Sequence, residues 1–220
     1  MAGTKKALRH SGEQTRTALI NSGLRLFGEK GFEATSTRDI AADAEANIAS
    51  IAYHFSGKEG LRLACAEAIV AKFRGIAPPS LLAADPGDDD KKAALVIETA
   101  IIAMIRFFTV QPEARHIAAF VVREMINPGA VIDLIYAEMM YPLHCALCRA
   151  WGVATHRDPD SPATRLAVFT IIGQVIYFRL GMPMVTRRMG WKAVGPKEAD
   201  QIIATIIGNL RTLIAAAKDK

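Results

Sequence analysis

Asn47, Ala49, Ser50, Tyr53 and His54 fall on one side of a short stretch with helical spacing, and the chemistry they offer is recognition. An amide, a hydroxyl, a phenol and an imidazole can donate to or accept from base edges and phosphates, while the small Ala49 lets a backbone approach a groove. On the other side Ile48, Ile51 and Phe55 recur at i, i+3 and i+7 and are expected to form one buried stripe. This is the pattern of a helix-turn-helix DNA reader. Short amphipathic helices with polar outer faces also occur where no DNA is bound, so the spacing alone leaves both readings open.

A second cluster, His144 with Cys145 and Cys148, has the C-x-x-C spacing of a metal or redox site. It sits inside a helical stretch with no second ligand pair, whereas structural zinc needs four ligands and redox C-x-x-C motifs follow a strand. Core or interface thiols are the favoured reading, a thiol or metal sensor the lesser one, and Cys65 reads as helix packing. No metal and no cofactor are expected. Catalysis has no constellation either, because no nucleophile elbow, zinc-protease helix, phosphate loop or dinucleotide fingerprint occurs and the five histidines are scattered. Glu124 or His116 as a base would stand alone, so the chain is not expected to be an enzyme.

The elements that must position these residues are helices. Ser36, three residues before Asp39, predicts a capping box and a helix over 37–44; Glu45 and Ala46 take the turn, and Asn47 can cap the next helix. Before them a helix over 12–30, with Ile20, Leu24 and Phe27 inward, ends at Gly31. Ser56 with Glu59 predicts a second capping box that opens a helix running to 74. The Pro-, Gly- and Asp-rich stretch 75–90 is a loop, its acidic end the solvated start of the next helix. Further helices are predicted over 91–110, 113–125, 130–151, 162–182 and 196–217, with Pro112, Pro128, Pro162 and Pro196 near their starts. No strand signal and no internal repeat is found. The fold class is therefore all-α: a three-helix helix-turn-helix domain with an N-terminal arm over 1–62, and a larger helical ligand-binding and dimerisation domain over 63–220.

The runs L-R-L-F-G-E-K-G-F, T-R-D-I-A, N-I-A-S-I-A-Y-H-F and S-G-K-E-G-L, over residues 12–62, resemble the N-terminal domain of the TetR family of transcriptional regulators. The resemblance implies that Thr37 and Arg38 approach the DNA backbone, that residues 47–54 enter the major groove, and that Lys58 touches a phosphate. Two positions depart from the pattern. Glu45 stands where a turn glycine is usual, and a non-glycine residue at positive φ is unfavourable; Ala52 stands where a tyrosine is frequent, with Tyr53 retained beside it. Farther on, V-R-E-M-I-N-P-G-A-V-I-D-L-I-Y and Y-P-L-H are similar to the effector domain of the CecR-like subgroup. That implies response to a small drug-like or aromatic compound and control of a transport operon.

In the predicted helices beyond residue 90, polar groups interrupt apolar surroundings. Burying them unpaired costs several kcal/mol, so each must face solvent, pair internally or line a cavity. Taken together, Met104, Arg106, Phe107, Phe120, Glu124, Gln174 and Tyr177, with Met125 and Arg179 near them, make a candidate ligand pocket of apolar lining with sparse polar anchors. The last two long helices carry more apolar surface than one chain can cover. Ile171, Ile172, Ile203, Ile206, Ile207 and Leu210 are the candidate interface of a homodimer joined through a four-helix bundle, as the family also implies.

The chain of 220 residues carries a net charge of +5 and is 51% hydrophobic, enough for one sizeable core and a small appended domain. Residues 1–62 hold nine Lys or Arg against seven Asp or Glu, so a field favourable to DNA must come from placement. Lys5, Lys6, Arg9, His10 and Arg16 could form an arm reaching the DNA backbone or minor groove, or a solvated tail. No apolar export segment follows the basic start, and the longest apolar runs, cut by Arg106, Arg165 and Arg179, read as too short to span a bilayer. The expectation is a cytoplasmic, ligand-responsive regulator with no membrane partner: a repressor that binds a palindromic double-stranded DNA operator as a homodimer and is released by a small-molecule effector. The alternative is a helical small-molecule-binding or adaptor protein without specific DNA binding.

Overall fold

The computed structural model describes residues 2–76 and 87–218, with residues 2–11 and 76 described by their backbone only. In chain order it contains α1 (Ala2–Lys30), α2 (Thr37–Asp43), α3 (Ala49–Phe55), α4 (Lys58–Ile76), α5 (Asp90–Val110), α6 (Ala114–Ile126), α7 (Ala130–Ile135), a π-helical segment (Tyr136–Met140), α8 (Tyr141–Thr155), α9 (Pro162–Leu180), α10 (Met182–Met189) and α11 (Pro196–Lys218). No strand occurs among the described residues.

Most helix starts lie where the sequence signals them. Asp89 accepts from the backbone N–H of Lys91 and Lys92, both at 3.0 Å, and so caps α5. Ser161 caps α9 by accepting from Thr164 N–H at 3.2 Å, and Pro162 and Pro196 occupy first helical positions where a missing N–H costs nothing. Gly31, at φ +88°, closes α1.

Four expectations need correction. Helix α1 begins at Ala2 rather than near residue 12, so the backbone of the basic arm is helical. The helix expected over 130–151 is interrupted by the π-helical segment, and the reason is Pro142: it has no N–H to offer the carbonyl of Glu138, so the α-ladder cannot run through it. The helix expected over 162–182 stops at Leu180, and the separate helix α10, with Pro183 in its first turn, was not anticipated. Ser56 is not the cap of α4; at φ +61° it is the left-handed end of α3.

The chain forms two compact units, one of Met1–Lys72 with His116–Tyr136, the other of Phe73–Arg115 with Ala137–Lys220. They cut across the sequence boundary at residue 62, because the first part of α4, most of α6 and all of α7 belong with the N-terminal helices. The first unit buries Leu19, Phe27, Ile40, Ile51, Leu61, Ile69 and Phe120. In the second, α5 packs against α8, α9 and α11, burying Ile97, Ile101, Ile105, Trp151, Ile171, Ile206 and Leu210. Each such side chain contributes about 1.5–3 kcal/mol on burial.

Helix α5, the stretch Ala130–Thr155 and helix α9 are long and apolar enough, by length and composition alone, to cross a membrane. This corrects the expectation that the arginines cut these stretches too short, since Arg106 lies inside α5, and Arg165 and Arg179 lie inside α9. In the folded chain half of the apolar window of α5 is buried against its neighbours.

Candidate nucleic-acid interface

The reading element is built from local hydrogen bonds. The Ser36 hydroxyl accepts from Asp39 N–H at 3.1 Å while the Asp39 carboxylate accepts from Ser36 N–H at 3.3 Å, the reciprocal cap predicted for α2. The Ser36 side-chain hydrogen bond is the main reason the Asp39 carboxyl titrates below its ordinary range. The cap is therefore complete above the carboxylate range and is lost as pH falls through the lowered value. At the other end of α2, Glu45 N–H donates to Ala42 O at 3.2 Å and Ala46 N–H to Ala41 O at 2.9 Å. This paired closure requires a left-handed residue between them, and Glu45 supplies it at φ +49°.

Helix α3 starts with the Asn47 side-chain oxygen accepting from Ala49 N–H at 2.9 Å. Its end is fixed by Gly60, since a Cβ there would lie 1.7 Å from the Phe55 carbonyl oxygen. Only glycine lets the first turn of α4 seat against the end of α3, which accounts for the second glycine in S-G-K-E-G-L.

Ile51 and Phe55 are buried, as expected, but Ile48 is 49% exposed and does not join their stripe. Its φ of −56° and ψ of −33° are helical, so it lies toward the side of Ile51 and Phe55, but at the very start of α3, where half of it stays open. Arg38, Asn47, Ala49 and Ala52 are exposed, Thr37, Ser50, His54 and Lys58 half-buried, and Tyr53 is 84% exposed. The His54 ring meets Tyr53 edge-on with centroids 4.8 Å apart and also lies 5.9 Å from Phe55. Three cations rest on aromatic faces nearby: Arg16 over Phe55 at 5.4 Å, and Lys58 and Arg62 over Phe32 at 4.2 and 4.6 Å. Of the eight residues expected to face DNA, seven lie on α2, α3 or immediately before α3, and Lys58 opens α4.

Behind this face, α6 braces the first unit. Arg123 donates to the carbonyls of Gly28 and Glu29, both at 2.7 Å, covering orphan acceptors at the negative end of α1. Next to it Glu124, 3% exposed, takes both arms of the Arg62 fork from α4 at 2.9 and 2.6 Å. Phe120 is fully buried 6.4 Å from Phe27. A cleft of about 520 Å³ beside this brace is lined by Phe32, Lys30, Arg62, Arg123, Glu124 and Asn127, among others.

Residues 19–65 match the model of the tetR family of bacterial regulatory proteins, and residues 93–217 match that of the C-terminal domain of the HTH-type transcriptional dual regulator CecR. The chain is 35% identical over 205 residues to the HTH-type transcriptional dual regulator CecR of Shigella flexneri, spanning 91% of each protein. The chain belongs to the TetR family. It is a transcriptional regulator with an effector half of the CecR type. A probable HTH-type transcriptional regulator of Bacillus subtilis, YttP, is 49% identical over 47 residues, which are 21% of this chain and 23% of that one. The fold is shared with the crystal structure of AibR in complex with isovaleryl coenzyme A and operator DNA, at a TM-score of 0.67 and 17% identity over 88% of this chain and 96% of that one.

In this TetR-family chain the residues expected to form one ligand pocket are divided between the two compact units. Phe120 and Glu124 belong to the brace of the first unit. In the second unit, Met104 and Phe107 are buried, with Phe107 in an aromatic cluster with Phe73 and Phe108. Arg106 is exposed and pairs with Asp200 at 3.1 Å, Gln174 accepts from the Asn209 amide at 3.0 Å, and Tyr177 is exposed. Arg179 donates to the Phe108 carbonyl at 3.3 Å. A cavity of about 590 Å³ in this unit is lined by residues that the sequence did not assign to a pocket, including Trp151, Arg157, Ser161, Thr164 and Leu213. Periodicity marks a residue as inward and cannot say which wall it joins.

The interface candidates also divide. Ile171, Ile206, Ile207 and Leu210 are buried within one chain and cannot form a face for a second copy, while Ile172 and Ile203 are half-buried. The exposed apolar stripe of α9 is a different one: Leu166, Phe169, Tyr177 and Leu180, with the exposed Gly173 between them. The Cys65 and Cys148 thiols are buried and Cys145 is half-buried. Burial, then the neighbouring Cys145, pushes the Cys148 thiol up to about 11, and burial pushes the Cys65 thiol up as well. Among the described residues no group of three His, Cys, Asp or Glu could hold a metal ion.

Proposed function

We propose that this regulator acts in the cytoplasm as a homodimeric repressor, binding a palindromic DNA operator through α2 and α3 and leaving it when a small-molecule effector binds the second unit. The observation that carries the reading is the α2–turn–α3 element itself: its caps, its left-handed turn at Glu45 and its outward Tyr53 present a compact face with the docking geometry of a recognition helix. On that face Thr37 and Arg38 contact the DNA backbone, Asn47, Ala49, Ser50, Tyr53 and His54 face the major groove, and Lys58 leaves the Phe32 ring for a phosphate. Asn47 retains its amide N–H groups for this purpose, its oxygen being held by Ala49 N–H.

Dimerisation uses the outward stripe of α9, Leu166 to Leu180, together with the exposed small residues Ala204, Gly208 and Ala216 of α11. Contiguous exposed apolar surface of this kind marks an interaction site. Met104, Arg106, Phe107, Gln174 and Tyr177 remain the effector-half candidates. AibR, which shares the fold, binds isovaleryl coenzyme A and operator DNA, the same pairing of partners proposed here. Effector and operator then oppose one another through a reciprocal coupling of about 1–3 kcal/mol.

Selection of duplexes from a random library by the full-length chain tests the reading. The expected outcome is an inverted repeat whose half-sites lie about 34 Å apart, one helical turn. No enrichment of any sequence would refute it.

A further inference from the structure

Ile48 is out of place for a core residue. It sits immediately before α3, at φ −56° and ψ −33°, with half its surface open, and its outward neighbours Ala49 and Ala52 are exposed as well. The polar groups nearby are partly committed: the Asn47 oxygen holds Ala49 N–H, and the His54 ring meets Tyr53 edge-on and lies tilted against Phe55. The leading end of the reading helix, where side chains meet base edges, is therefore dominated by hydrocarbon. A single exposed isoleucine on a surface means nothing by itself; one placed here, beside two exposed alanines, does.

The major groove presents one apolar feature, the C5-methyl group of thymine, while every other base edge there is a donor or an acceptor. An isoleucine cannot satisfy a donor or an acceptor and would bury it at a cost. We infer that Ile48 is a specificity-determining residue that reads a thymine methyl group in each operator half-site, so that the operator carries thymine opposite the start of α3. This inference rests on operator binding through α3 as proposed above.

Deoxyuridine keeps every hydrogen-bonding edge of thymine and lacks only the methyl group, so it isolates the contact. Duplexes selected by the full-length chain are resynthesised with deoxyuridine at one thymine at a time, and affinity is measured by fluorescence anisotropy for wild type and Ile48→Ala. At one thymine per half-site, wild-type affinity is expected to fall about fourfold per methyl group, the scale of burying one such group. Ile48→Ala should lose a similar factor on the thymine duplex and lose almost nothing more with deoxyuridine. Because Ile48 is outside the core, the variant should unfold at the wild-type temperature, and an unchanged melting midpoint verifies that the loss is local. Wild-type affinity that is indifferent to deoxyuridine at every thymine overturns the inference, as does an Ile48→Ala protein that stays as sensitive as wild type. A selection that enriches nothing removes operator binding itself, and the inference falls with it.

Discussion

Glu45 holds φ +49° at a turn position where glycine carries no steric penalty. A side chain in this conformation costs about 1–2 kcal/mol, offset in part because glycine would also loosen the unfolded chain. Glu45→Gly should therefore stabilise the protein by about 0.5–1 kcal/mol and raise Tm by about 2 °C; a lower Tm on thermal unfolding would show that the turn is not strained. The turn was legible in the sequence because its bonding pattern is local. The Cys148 thiol, pushed up to about 11 by burial and then by Cys145, exists almost wholly as the unreactive thiol at neutral pH. Iodoacetamide at pH 7.5 should leave Cys148 unmodified in the native protein and label it once the chain is unfolded in urea. Rapid native labelling would reopen the sensor reading.

At the scale of elements, the sequence shows capped helix starts better than it shows helix faces. Ser36 and the acidic run that contains Asp89 announce their helices because a cap is a bond between near neighbours; the Ser161 cap went unread. Helix α9 is apolar on both sides, so its residues do not reveal which face is inward; the structure buries Val168, Ile171 and Val175 and turns Leu166, Phe169 and Tyr177 outward. If that outward stripe is the dimer face, Leu166→Glu places a charge in it and should shift the chain to monomer in sedimentation at micromolar concentration while leaving its helical content intact. An unchanged dimer would move the interface elsewhere. Glu124 both lines the cleft of the first unit and pairs with Arg62, and a buried acid looks alike in the sequence whichever of these it does. Its two bonds to Arg62 make removal costly, since losing one member of a buried pair strands the other. Glu124→Ala should cost about 3 kcal/mol in urea unfolding, and Arg62→Ala added to it should cost much less than the sum of the two single changes. Additive losses would mean that the pair does not act as a unit.

For the whole molecule, family membership and fold supply the regulator, while chain topology shows how two jobs share one polypeptide. Helices α4 and α6 each run from one compact unit into the other, so the Arg62–Glu124 and Arg123–Gly28 bonds tie the helix-turn-helix to elements that continue into the effector half. The sequence places residues 116–136 with the larger domain, because their packing partners lie far upstream, as in the Arg123–Gly28 bond with its separation of 95 residues. The central claim is specific operator recognition by a dimer. It is tested most directly by titrating the full-length chain, at about 0.15 M salt, onto its selected duplex and onto a shuffled duplex of the same composition. The account predicts two chains per selected duplex and affinity there at least about 10³-fold tighter than on the shuffled one; equal affinity for both duplexes would contradict it.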